Sequence, residues 1–403
     1  MSRCVRIVRI ITRLNIGGPS IHASLLTNRM AQERFSTCLV VGRPERDEGN
    51  RIGWVRPGPG RVVELPFLRR PIHPLRDAIA FAHLLRIVWR ERPQVVHTHT
   101  AKAGTLGRLA GLAYNWIGPG RKSEQRALLV HTFHGRVLEG YFSKPASRLF
   151  TGIERLLARG TDCLIAVSPR VRDELLGEGI GRREQWRVVP LGLDLTPLQQ
   201  LPFPNGSAPL RCGLVGRLVP IKNPALFVEA VGRLAPLVQG TIVGSGPLKS
   251  ELEETVRRRG LEQAITFTGW REDLPVCYAQ MDVLCITSWN EGTPASVIEA
   301  MAAGRATVAT DVGGIRDLLG IPESVEVPAG GFTASPRGLL VRPGDARGLA
   351  GALRKMAEQP DLRRKMGEEG RVHALSKFGA ERLIRDISLL YEQLNDKARE
   401  SFS

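Results

Sequence analysis

The sequence predicts two doubly wound, parallel-sheet α/β domains in tandem, facing across a cleft. Three observations carry that reading. A chain of 403 residues is too long for one compact core and suits two. Short β-rich runs alternate with helix-length segments almost throughout, the pattern of a parallel sheet covered on both faces. Near the middle, LTPLQQLPFPNGSAP (195–209) holds four prolines and no charge, and the alternation restarts after it. The first domain is therefore read as 1–194, the linker as 195–209 and the second domain as 210–376. A final helix, 377–395, is expected to pack back on the first domain.

In the first half, strands are predicted at 5–12, 37–42, 61–65, 95–98, 128–132, 163–167 and 187–190. Helical segments lie between them at 20–33, 106–114, 146–158 and 170–176. In the second half the order is strand 210–215, helix 224–234, strand 241–243 and helix 248–259. Strands 265–268 and 283–287, helix 294–302 and strands 307–309 and 338–341 follow. The last helix carries an apolar stripe of Leu383, Ile384, Ile387, Leu390, Tyr391 and Leu394. Ligands of open α/β sheets sit beyond the carboxyl ends of the strands, so strand exits are where chemistry is sought.

Composition excludes several classes. Hydrophobic residues at 42% and charged residues at 24% describe a globular chain. Aromatics at 5% form no stacking platform, and no nucleic-acid-binding motif is present. Six cysteines lie apart with no C-x-x-C pair, which excludes a zinc ribbon and a disulfide scaffold. The start, MSRCVRIVRIITRL, lacks the apolar core of a signal peptide, and no run reaches ~18 uncharged apolar residues. A cytoplasmic protein, soluble or peripheral on the inner membrane face, is expected.

Charge is uneven. Residues 1–200 hold 32 Lys+Arg against 16 Asp+Glu, while the remainder of the chain holds 25 against 24. A basic first half calls for an anionic partner there. The segment 66–93 mixes Phe67, Leu68, Phe81, Leu84, Leu85, Ile87, Val88 and Trp89 with six arginines. It reads either as a core helix with a solvated basic face or as a contact with anionic lipid.

The most informative stretch is SWNEGTPASVIEAMAAG (288–304). Thr293 reads as a helix cap, Pro294 as the first helical residue and Gly304 as the stop. Glu299 is the only charge on an otherwise apolar helix, so its carboxylate needs a partner or a ligand. Glu291 precedes the helix closely enough for both acids to reach one polar ligand. In GRLVPIKNP (216–224), Arg217 and Lys222 stand before a helix capped by Asn223. Cations there oppose the helix dipole unless an anion such as a diphosphate lies between them, though charges kept for solubility would look the same. Glycine turns at Gly17–Gly18 and at 244–247 suit close backbone approach, or simply tight turns. His97, His99, His131 and His134 cluster at strand exits. Metal binding, packing, and hydrogen bonding by His134 to a polar ligand all fit them.

Together these residues resemble glycosyltransferase family 4, retaining enzymes that use nucleotide sugars and have the GT-B architecture of two Rossmann-like domains. The matching elements are GGP (17–19), TFHG (132–135), LVGRLVPIKNP (214–224), VGSGP (243–247), FTGW (267–270) and EGTPASVIEAMAAG (291–304). KAGTLGRLAG and HTFHGRVLEGYFS further resemble a bacterial subgroup of exopolysaccharide and capsule assembly. The resemblance implies that Glu299 binds ribose hydroxyls, Glu291 the donor sugar, and Arg217 and Lys222 the departing diphosphate. Gly17, Gly18, Gly292, Thr293 and Pro294 would help, His134 would meet the donor sugar, and Trp270 and Arg271 would hold the base beside Gly246. Lys102 and Arg136 are expected at the acceptor, as phosphate contacts, though solvated surface charge would account for each equally well.

The implied activity moves a sugar from a nucleotide diphosphate sugar, with UDP favoured, to a glycan or polyprenyl-diphosphate-linked acceptor in cell-surface polysaccharide synthesis. No Asp-x-Asp occurs, so neither a metal nor a cofactor is expected, the nucleotide sugar being a substrate. The competing readings are a nucleotide-sugar epimerase or a phosphorylase of the same architecture, and a non-catalytic scaffold at the membrane surface.

Overall fold

The computed structural model describes residues 4–15, 17–30, 34–44, 53, 55, 61–135, 144–206, 208–324 and 326–400. The chain divides into two compact units, Met1–Leu193 with Ala380–Ser403, and Asp194–Gly379.

The first unit contains β1 (Val5–Ile11), β2 (Phe35–Gly42), β3 (Arg61–Leu65), β4 (Val95–His99), β5 (Leu128–Phe133), β6 (Cys163–Ala166) and β7 (Trp186–Val188). They lie in the order β3-β2-β1-β4-β5-β6-β7, all parallel. Strands such as VVHTH at β4 are buried at every position, because helices cover both faces. Val8 and Ile10 face Leu84 and Val88 of the helix Pro74–Glu91 and Ala110 and Tyr114 of the helix Ala101–Ile117. Their neighbour Ile7 faces the opposite way, onto Leu26 and onto Leu383, Ile387 and Tyr391 of the helix Ala380–Glu400.

The second unit repeats the plan with β8 (Leu210–Val215), β9 (Val238–Val243), β10 (Ile265–Gly269), β11 (Val283–Ile286), β12 (Ala306–Thr310), β13 (Phe332–Ser335) and β14 (Gly338–Val341). Their order is β10-β9-β8-β11-β12-β14-β13, parallel except for the β13–β14 pair. The sequence gives no sign of β13. It is a four-residue edge strand, half-buried on alternate positions, and lacks the continuous apolar run of its neighbours. Residues 195–209 belong to this unit. Thr196–Gln199 form a helical turn, the carbonyls of Leu201 and Pro202 accept from Arg371 and Arg305, and Arg371 stacks on Phe203.

In both sheets the strand order reverses beside the first strand, between β1 and β4 and between β8 and β11. Those reversals leave crevices at the carboxyl ends, where the loops diverge.

Burial of charge in the first unit is selective. Arg108 is fully buried, donates from Nε to the Gly104 carbonyl and pairs through Nη2 with Glu154 at 2.6 Å. Glu154→Ala would strand that guanidinium, a loss of about 3–5 kcal/mol. Denaturant unfolding of the variant should show it, and a change below about 1 kcal/mol would contradict the buried-pair assignment.

Candidate active site

In the second unit the loops after β8 and β11 flank the strand-order reversal, and they carry the predicted charges. The loop after β8 runs through Gly216 and Arg217 to a 3-10 turn, Pro220–Lys222. Asn223 does not cap the next helix with its side chain as expected. It sits in the left-handed region (φ 44°, ψ 53°), and that turn swings Lys222 toward the loop after β11. Lys222 Nζ donates to Glu291 Oε1 at 2.5 Å, and Ser288 Oγ donates to the same oxygen at 2.6 Å. The Glu291 side chain is only 7% exposed, so these two donors replace the water it gives up. Arg217 is half-buried, and its side chain makes no ion pair among the described residues.

Backbone bonds fix the loops around this pair. The Trp289 N–H donates to the Ile221 carbonyl at 2.8 Å, Thr287 Oγ1 to the Lys222 carbonyl at 2.8 Å, and Thr310 Oγ1 to the Ser288 carbonyl at 2.7 Å. Gly313, in the left-handed region (φ 50°), lies so close that a Cβ would be 1.7 Å from the Glu291 carbonyl oxygen. The Gly314 N–H donates to the Gly292 carbonyl at 3.0 Å. The glycine turn 244–247 serves the β8 loop similarly. A Cβ on Gly246 would be 2.4 Å from the Leu218 carbonyl oxygen, and the Leu218 N–H donates to the Ser245 carbonyl.

The helix after Glu291 is Ala295–Ala302. Pro294 occupies the cap position and Thr293 stands before it, its hydroxyl buried without a hydrogen-bond partner among the described residues. The predicted Thr293 cap is therefore corrected: the helix starts one residue later, and proline offers no capping oxygen. Glu299 accepts from Tyr278 Oη at 2.8 Å. Burial raises the Glu299 carboxyl above its usual range, partly offset by that bond, and burial also raises the Tyr278 hydroxyl. At the end of β10, Trp270 is exposed and Arg271 is held by Asp273 at 2.7 Å, while the Gly269 carbonyl accepts from the Gly244 N–H.

In the first unit, Gly17 caps the helix Gly18–Arg29 with its carbonyl, in a backbone conformation open to glycine (φ 158°). His134 follows β5. Its Nε2 meets His99 Nδ1 at 3.1 Å, and the His22 ring stands edge-on to it with centroids 5.1 Å apart. His97 lies in the same group, whereas His131 turns away to Thr98. Burial keeps these imidazoles neutral, with His134 pushed down to about 3. Among the described residues, no group of His, Cys, Asp and Glu is arranged to hold a metal. Lys102 Nζ is taken up by Asp77 at 2.7 and 2.9 Å and by the Pro71 carbonyl at 2.5 Å. Arg136 lies outside the described residues.

Sequence reasoning missed Tyr278, Ser288, Gly313, Gly314 and His22. Only the D-V-G-G run and the histidine five residues after Gly17 offered a local signal.

Because the Glu299 pKa is raised, the folded state holds that proton more tightly than the unfolded chain does. Stability contributed by the protonated form is complete below the ordinary value of 4.5 and is lost as pH rises through the folded value. Glu299→Gln keeps an acceptor for Tyr278 and removes the titration. Its melting temperature should gain on the wild type as pH rises above 4.5 and then level off. A difference independent of pH would contradict the assignment.

Residues 16–196 match the family model Glycosyltransferase Family 4, and residues 209–359 match Glycosyl transferases group 1. One relative is the Escherichia coli UDP-Gal:alpha-D-GlcNAc-diphosphoundecaprenol alpha-1,3-galactosyltransferase, 27% identical over 63% of this chain and 67% of that protein. Another is the putative glycosyltransferase EpsD of Bacillus subtilis, 25% identical over 82% of this chain and 84% of that one. Among solved structures, Anabaena HepE in complex with UDP is similar with a TM-score of 0.72, at 20% identity, over 96% of this chain and 100% of that one. The fold is accordingly GT-B, and the chain is a glycosyltransferase belonging to family 4.

Proposed function

We propose that the enzyme transfers a sugar, with retention, from a uridine diphosphate sugar to a glycan or polyprenyl-diphosphate-linked acceptor in cell-surface polysaccharide synthesis. The observation that carries this reading is the Lys222–Glu291 pair at the strand-order reversal of the second sheet. Breaking the sugar–phosphate bond leaves a diphosphate anion. Lys222 has three donors, of which Glu291 takes one, and Arg217 supplies a guanidinium, so both stabilise that charge as it develops. Their action needs no metal. Glu291 accepts from hydroxyls of the donor sugar, and Glu299, backed by Tyr278, accepts from those of the ribose. Trp270 and Arg271 line the base, and Gly246, Gly292, Thr293 and Pro294 supply close backbone. From the first unit, His134, Gly17 and Gly18 act on the donor. Attack on the same face through an oxocarbenium-like state accounts for retention without a protein nucleophile.

The choice of nucleotide and acceptor is supported by the relatives. The E. coli enzyme is named for UDP-Gal and a diphosphoundecaprenol acceptor, and HepE binds UDP. UDP should raise the melting temperature where GDP does not. Lys222→Ala and Glu291→Gln should each cut turnover by about 10²–10³ with the fold preserved. Full turnover in both would contradict these roles, whereas membrane capture without turnover in the wild type would favour the scaffold reading. Nucleotide release or sugar inversion without any acceptor would favour the epimerase.

Peripheral membrane contact is part of the proposal, relocated. The apolar face of Pro74–Glu91 is spent on the core, through Ala80, Leu84 and Val88. Ile72 and Leu75, at 64% and 67% exposed, protrude at its start beside Arg70 and Arg76. Among the described residues no helix is long and apolar enough to cross a membrane. The protein should sediment with phosphatidylglycerol vesicles and be released as salt is raised, and Ile72→Ser with Leu75→Ser should weaken capture. Binding indifferent to both would refute this contact.

A further inference from the structure

The histidines of the first unit form a directed hydrogen-bond system, and its direction can be worked out from donors that have no choice. Arg9 is fully buried on β1 and can only donate. Its Nη2 lies 3.4 Å from Tyr391 Oη, which therefore accepts. The hydroxyl proton of Tyr391 goes to His97 Nδ1 at 2.5 Å, so His97 carries its proton on Nε2 and donates to Thr132 Oγ1 at 2.7 Å. This chain of bonds holds the exits of β4 and β5 side by side.

His99 and His134 stand on those two exits. Two arrangements of the 3.1 Å bond between them are possible. If His134 donated from Nε2, His99 would have to carry its own proton on Nε2. That nitrogen is buried and has no hydrogen-bond partner among the described residues. A buried N–H without an acceptor is the rarer and costlier orphan. With His99 donating from Nδ1, only a bare ring nitrogen is left there, and His134 keeps its proton on Nδ1.

We propose that His99 is a positioning residue: it accounts for His134 being held as the Nδ1–H tautomer, so that the ring offers a hydrogen-bond donor to an oxygen of the bound sugar. The inference rests on the proposed function for the identity of that oxygen, but the tautomer itself does not.

The test has two arms. Full-length protein labelled with [15N]histidine is studied by multiple-bond 15N NMR, with His134→Gln identifying the His134 signals. A protonated Nδ1 and a bare Nε2 are expected, and the reverse pattern, or two protonated nitrogens, would overturn the proposal. In the kinetic arm, His99→Asn keeps a donor where Nδ1–H stood and His99→Leu removes it. The leucine variant should lose kcat on the order of tenfold or more with the donor KM nearly unchanged, and asparagine should restore most of it. Equal losses in two variants of equal melting temperature would refute the positioning role. If the leucine variant does not fold, the NMR arm decides alone. If no nucleotide sugar is turned over, the functional reading fails while the NMR result still judges the tautomer.

Discussion

The ion pair between Lys222 and Glu291 is the interaction on which the second domain's site depends. It joins a residue reached after β8 to one reached after β11, the two strands between which the chain changes direction across the sheet. A carboxylate so nearly buried needs donors in place of water, and Ser288 with the partly exposed Lys222 supplies them. The loops that bring them together are fixed by backbone bonds, from Trp289 to Ile221 and from Gly314 to Gly292. What remains open to a ligand is the lysine's unused hydrogens and Arg217, whose side chain makes no ion pair among the described residues. Fixed dipoles and cations of this kind cost no reorganisation when negative charge develops beside them.

The strand-exit clusters of the two units solve their polar burial in opposite ways. The second pairs charges, Lys222 with Glu291. At the exits of β4 and β5 the first instead gathers neutral rings near Arg9, and burial of the rings, reinforced by the fields of their neighbours and of Arg9, suppresses protonation of His22, His97 and His99. A ring that stays uncharged across physiological pH is a hydrogen-bonding group rather than a proton shuttle. That distinction separates a contact to sugar hydroxyls from general acid catalysis, and it follows from packing.

The parallel strands were legible because each is a short apolar run bounded by glycine or polar residues. The charged members of the site were legible because a lone glutamate in ASVIEAMA and cations before a helix violate local rules. Their partners were not. Tyr278 reaches Glu299 from twenty-one residues away, and Gly313 supports the Glu291 backbone from another strand exit. Neither relation has any local spacing to reveal it. The cap misread at Thr293 has a local cause, since a threonine before proline satisfies the pattern equally well one position off. The Asn223 turn has one too: asparagine is as much at home in the left-handed region as at a cap.

Of the sequence signals, net charge says least about position, and the reason is geometric. A count of arginines treats every guanidinium as surface. In the first unit Arg9 and Arg108 are wholly buried, Arg6 binds the Arg92 carbonyl, Arg155 binds the Glu178 carbonyl, and Arg382 reaches the carbonyls of Pro190 and Leu191. These arginines hold loops and helix ends in place, using a planar, multiply donating head where a lysine would satisfy fewer acceptors. Their charge still adds to the field around the unit, but it is not a docking patch. Any anionic partner must be recognised by exposed cations whose heads are not already spent on carbonyls, and on Pro74–Glu91 the exposed arginines are Arg76, Arg86 and Arg90, spread along one side of a helix whose other side is core.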